Sequence, residues 1–139
     1  MYTLIKVDFR EPNAEAIRAV REEVFIREQK VPKELEFDDL DVAAVHVLVM
    51  ADDRPVGTGR ILADGHIGRI AILKAFRGRG LGAKVVSALM EEAARAGCER
   101  VYLGAQTHAI DFYGTLGFSR YGDVFMDAGI PHVHMEKYL

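Results

Sequence analysis

Along the chain, apolar positions fall into two periods. Alternating or unbroken apolar runs predict strands at Tyr2–Phe9, Val45–Met50, Val56–Leu62, His66–Leu73 and Arg100–Ala105. The tail alternates Val133 and Met135 against His132, His134 and Glu136, as a half-buried strand does. Helical spacing takes over at Ile17, Val20 and Val24, which predicts an amphipathic helix over 14–28, with Asn13 as its N-cap and Pro32 ending any continuation. It returns at Leu81, Val85, Ala88 and Leu89, a helix that Gly97 is placed to close. A short helix over about 108–116 stops at Gly117. Turn signals at Asp52-Asp53 and Asp64-Gly65 join the three middle strands into an antiparallel meander. The order predicts an α+β fold in three layers, α/β/α, with a mixed, mostly antiparallel sheet flanked by helices.

Bulk properties narrow this picture. The 139 residues fit one domain, 1–139. A net charge of -3 argues against a general nucleic-acid grip. No stretch approaches the roughly 18 apolar residues of a membrane span. Cys98 is the single cysteine, so no intramolecular disulfide forms. The opening MYTLIKVDFR carries Lys6, Asp8 and Arg10 in place of the apolar core of a leader, and the expectation is a cytoplasmic protein.

The most informative segment runs from Ile70 to Ala83, where a strand gives way to a helix through Gly78, Gly80 and Gly82. Glycines let successive N–H groups turn inward and a ligand approach the main chain, and the helix N-terminus adds its dipole. Lys74, Arg77, Arg79 and Lys84 surround the loop with positive charge, which suits a pyrophosphate. A P-loop is excluded because no Gly-Lys-[Ser/Thr] ending follows. Gly78, Gly80 and Ala83 satisfy G-x-G-x-x-A formally, but four residues separate them from the strand and no carboxylate follows Arg100–Ala105. A plain strand-to-helix turn is the remaining reading of the loop on its own.

Arg77-Gly78-Arg79-Gly80-Leu81-Gly82 resembles the R/Q-x-x-G-x-G/A motif of the GCN5-related N-acetyltransferase (GNAT) superfamily. Phe112-Tyr113-Gly114-Thr115-Leu116-Gly117-Phe118 is similar to that family's FYxxxGF segment, and Phe25–Pro32, Ala105-Gln106 and Ala128–His132 resemble its ElaA-like and YjcF-like branch. The resemblance implies a GNAT acyl-CoA N-acyltransferase fold that binds acetyl-CoA as cosubstrate. It places Ile70, Ala71, Ile72 and Leu73 along the pantetheine arm, and Arg77, Gly78, Arg79, Gly80, Leu81, Gly82 and Ala83 around the pyrophosphate. Gln106, Phe112 and Tyr113 fall near the coenzyme, with Tyr113 beside the sulfur as the catalytic proton donor.

The implied reaction is direct attack of a primary amine on the thioester, the acceptor being a small-molecule or peptide amine. A lysine-like amine is neutral at pH 7 only to about 10⁻³–10⁻⁴, so freeing it costs about 4–5 kcal/mol. The N–H of Ile72 or of Leu73 is placed to receive the oxyanion. Some superfamily members carry a carboxylate on this strand, where this chain has Gly68 and Arg69. Glu28, Glu36, Asp38 and His132 are the candidates for binding or deprotonating the acceptor, and a water relay is the preferred route. No metal is expected: His132 and His134 share a strand face but lack a third ligand. The alternative is a noncatalytic acyl-CoA sensor, and the C-terminal strand is read as an exposed edge on which a homodimer can form.

Overall fold

The computed structural model describes residues 1–139. Strands β1 (Tyr2–Val7), β2 (Val45–Ala51), β3 (Arg54–Ile61) and β4 (Ile67–Ile72) pair antiparallel in chain order. A second antiparallel sheet has the order β5 (Arg100–Gln106), β7 (Ile130–Tyr138), β6 (Ser119–Asp127). Residues Val56 to Ile61 of β3 are buried without alternation, so the first sheet is covered on both faces. On one face α1 (Asn13–Arg21) brings Arg21 toward the network that includes Arg60 of β3. On the other, Val85 and Leu89 of α3 (Leu81–Arg95) press on Gly59, where a Cβ would stand 2.6 Å from both Ile70 and Val85. Both sheets feed one hydrophobic cluster, which holds Val49, Val56 and Leu89 together with Val101, Leu103 and Met135. No helix is long and apolar enough to cross a membrane.

Three details differ from the sequence expectations. The first helix begins at Asn13 itself, with Pro12 in the cap position and no side-chain cap, and from Glu22 to Glu28 it widens into a π-helical segment. Secondly, β6 was not predicted: its alternation breaks at a register shift between Tyr121 and Phe125, where Gly122 takes a φ of 72°. Thirdly, the C-terminal strand is no edge. β7 lies between β5 and β6, so the free edge belongs to β6, which exposes Val124 and Met126.

The acidic stretch 34–41 includes a one-turn helix, α2 (Lys33–Glu36), and is much less solvated than its composition suggests. Glu36 and Asp41 are buried. Arg21, itself fully buried, donates to Glu36 at 2.6 Å and to Asp41 at 2.7 Å, and its guanidinium stacks on Phe37. Arg60 donates to Asp41 and Asp38, both at 2.8 Å, and Arg69 to Asp38 at 3.2 Å. Three guanidiniums therefore face three carboxylates, a charge-balanced arrangement that satisfies the buried donors.

Candidate functional site

β4 and β5 run side by side and meet once, at a parallel bridge between His66 and Tyr102, where the Tyr102 N–H donates to Gly65 at 3.1 Å. Beyond it they diverge. One cause lies in β4, where Thr58 faces Ala71 and Arg60 faces Gly68, so Gly59 opposes both Arg69 and Ile70. This one-residue bulge holds Arg69 at a φ of 53°. A non-glycine residue in that region stores about 1–3 kcal/mol and persists only when its surroundings over-determine it. Here the Arg69 guanidinium donates to the carbonyls of Leu35 and Glu36 and pairs with the carboxylates of Glu36 and Asp38.

The peptide directions along β4 separate the two oxyanion candidates. Leu73 donates its N–H to Val56 at 2.8 Å and so is committed to β3. Because peptide groups alternate along a strand, the N–H and C=O of Ile72 point the other way, into the gap. The Ile72 carbonyl there accepts the Arg77 Nε–H at 2.8 Å. Arg77 also makes a two-pronged pair with Glu28, both contacts at 2.7 Å, which holds the Glu28 carboxyl below its usual range.

At the glycine loop Gly78 and Gly80 adopt φ of 78° and 76°, and a Cβ on either would meet nothing within 4 Å. The loop is open where a ligand would lie. Lys84 is the first residue of α3 to close back, onto the Gly80 carbonyl at 3.2 Å, so the N–H groups of Leu81, Gly82 and Ala83 find no backbone acceptor. Phe112 packs across Gly82, which brings the two sequence motifs into contact. Arg79 leans over Phe76 and bonds the Tyr2 hydroxyl, at the outer side of the loop.

A cavity of about 450 Å³ occupies the divergence of β4 and β5. Tyr113, on α4 (Ile110–Thr115), lines it. The Tyr113 ring is buried against Phe112 and Phe118, and its hydroxyl makes no hydrogen bond within the protein. Burial pushes its pKa up to about 12, so the phenol keeps its proton at neutral pH. Of the four acceptor-side candidates, Glu36 and His132 line the cavity, whereas Asp38 and Glu28 lie outside it, each bonded to arginine. Gln106 also lines it, donating to Gln29 at 2.8 Å and held by His108 at 2.7 Å. Sequence reasoning missed Arg69, Gly104 and Phe125 as lining residues. Phe125 lay in the unpredicted strand, and no residue near Arg69 in sequence announces the bulge.

Comparison with known proteins agrees with this geometry. The acetyltransferase (GNAT) domain family matches residues 10–139. The uncharacterized N-acetyltransferase YjcF of Bacillus subtilis is 43% identical over 122 residues, covering 85% of this chain and 87% of the relative. The crystal structure of ElaA from Escherichia coli superposes with a TM-score of 0.89 at 29% identity, over 99% of each chain. An acyl-CoA N-acyltransferase from Pseudomonas aeruginosa superposes with a TM-score of 0.87, also at 29% identity and over 99% of each chain. The splayed strands, the uncapped glycine-led helix and these matches together make the chain a member of the GNAT acetyltransferase family, an acyltransferase with the acyl-CoA N-acyltransferase fold.

Proposed function

We propose that the chain transfers the acetyl group of acetyl-CoA directly to a primary amine of a small molecule or peptide. The observation that carries this reading is the gap between β4 and β5, into which the Ile72 peptide points and onto whose cavity Tyr113 opens. The pantetheine arm would run along Ile70–Leu73. The pyrophosphate would take the free N–H groups of Leu81, Gly82 and Ala83 and the open space over Gly78 and Gly80, with Arg77 and Arg79 beside it. Phe112 and Gln106 would flank the arm near the thiol.

In this scheme the neutral amine attacks the thioester carbon while the Ile72 N–H stabilises the oxyanion. As the C–S bond breaks, the sulfur takes the Tyr113 proton. An ordinary thiol titrates near 8.5, so full transfer from a phenol at about 12 is uphill by about 4–5 kcal/mol. The transfer is therefore coupled to return of the second nitrogen proton to Tyr113, which leaves a neutral amide, a thiol and an intact phenol. Calorimetric titration with acetyl-CoA tests the coenzyme site, with dephospho-coenzyme A and NAD as controls. Micromolar binding with NAD silent supports it; no binding of acetyl-CoA refutes it.

A further inference from the structure

We infer that His132 is the general base of this site, its Nε2 taking the proton of the acceptor ammonium. The inference rests on the amine-acetylation reading above and completes its missing step. Three of the four candidates are already engaged. Glu28 is clamped by Arg77. Asp38 is bonded by Arg60, which holds its carboxyl down at about 2. Glu36 is pushed up by burial and pulled down by the Arg21 and Arg69 guanidiniums. A proton on Glu36 would leave three arginines facing two carboxylates in a buried network, an uncompensated charge.

His132 differs from all three. Its Nδ1 lies 2.7 Å from the Ile130 carbonyl oxygen, which can only accept, so Nδ1 carries the hydrogen. In the neutral ring Nε2 then holds the lone pair. That nitrogen has no hydrogen-bond partner in the protein, yet no buried side-chain nitrogen or oxygen is left unsatisfied, so Nε2 keeps accessible surface on a largely buried ring that lines the cavity. Gly104 gives the Phe125 ring room to stack beside His132: a Cβ there would stand 3.2 Å from Phe125 and 3.9 Å from Cδ2 of His132, the carbon next to Nε2.

Position along the strands separates His132 from the other histidines. His66 is stacked on Tyr102 at the pinched end of the gap. His132 faces Gln106, four residues further along β5 and about 13 Å toward the open end. His108 is held by Gln106, and His134 is exposed between Tyr121 and Phe125. The charged and titratable groups that share the cavity with His132 are His134 on its own strand, Asp127 of β6, Tyr102 of β5 with His66 stacked on it, His108 and Tyr113 beyond β5, and the ion-paired Glu36 and Arg69. In the step, the Nε2–H bond forms as the ammonium N–H bond breaks. The freed lone pair makes the C–N bond, the C–S bond breaks, and His132 gives its proton to solvent.

The test uses the full chain, its His132→Gln variant, acetyl-CoA and benzylamine as the probe acceptor. Calorimetry with acetyl-CoA on both proteins comes first. Loss of binding in the wild type would overturn the coenzyme reading, whereas equal binding confines any effect to the acceptor step and shows the variant folded. The expected result is a fall in kcat/KM of about 10²–10⁴ at pH 7. That deficit narrows about tenfold per pH unit as benzylamine itself becomes the free base. A variant with the wild-type rate, or one whose deficit is the same at every pH, overturns the inference. Nitrogen-15 spectra of the imidazole need no acceptor, and the His132→Gln spectrum identifies the His132 signals. In the neutral ring they should show the lone pair on Nε2; the opposite tautomer, with the lone pair on Nδ1, overturns the assignment even if benzylamine is not a substrate.

Discussion

Arg21→Met is the sharpest test of how this fold is held. Arg21 is fully buried and makes three hydrogen bonds, at 2.6 Å to Glu36, 2.7 Å to Asp41 and 2.7 Å to the Glu36 carbonyl. Methionine roughly keeps the volume but strands two carboxylates, although Arg69 still reaches Glu36 and Arg60 still reaches Asp41. Breaking a buried ion pair from one side costs about 3–5 kcal/mol. For 139 residues the unfolding entropy near Tm is about 0.3 kcal/mol/K, so the melting temperature should fall by about 10–17 °C. Urea unfolding followed by circular dichroism should show the midpoint lowered with an unchanged slope. The single added change Glu36→Gln should recover part of the loss, because Arg60 and Arg69 then face two carboxylates, Asp38 and Asp41. A loss below about 1 kcal/mol, the range of an exposed pair, would refute the claim that these charges are effectively desolvated.

Other consequences follow from the same contacts. Tyr113→Phe should lower kcat on the order of 10² while changing acetyl-CoA affinity and stability little, since the hydroxyl has no partner in the protein; steady-state kinetics and calorimetry read the two separately. Glu28→Gln should tighten acetyl-CoA about two- to five-fold by calorimetry, because it frees Arg77 from an exposed pair worth about 1 kcal/mol or less. The carboxyl of Asp38 is lowered from 3.8 to about 2 on folding, so its contribution is present above about pH 4 and disappears as the pH falls toward 2. Asp38→Asn should therefore flatten that limb of the stability–pH curve measured by urea unfolding.

The glycine loop, the helix behind it and the FYxxxGF segment were legible because each is a local signal: residues at fixed spacing dictate a turn or a face. Gly97 closes its helix at a φ of 87° and Gly117 turns at 95°, as their positions after apolar helical runs require. What local pattern could not show depends on partners far away in the chain. Nothing local announces that the carboxylates of 34–41 are drawn inward, because their partners Arg21, Arg60 and Arg69 come from α1, β3 and β4. β6 was hidden by its own bulge, and with it Phe125 and the central place of β7. His132 was visible as a candidate, but the tautomer that makes it a base is set by the Ile130 carbonyl, a contact no alternation pattern reports.

The single bridge between the two sheets bears on how the molecule moves. The ladders of β1–β4 and of β5–β7 are each complete in themselves, and the Tyr102 N–H to Gly65 bond is the one backbone hydrogen bond that links them along β4 and β5. Side chains of one shared cluster hold the halves together. Apolar contacts tolerate a few degrees of rotation that a hydrogen-bonded ladder does not. A relative rotation of the two sheets would therefore turn, like the covers of a book, about a spine at Gly65–His66 and Tyr102, with the gap between β4 and β5 where the pages part. Slow amide exchange should divide along that spine into two protected blocks, and a small angular change there sets the width at the far end of the cavity while both ladders stay whole.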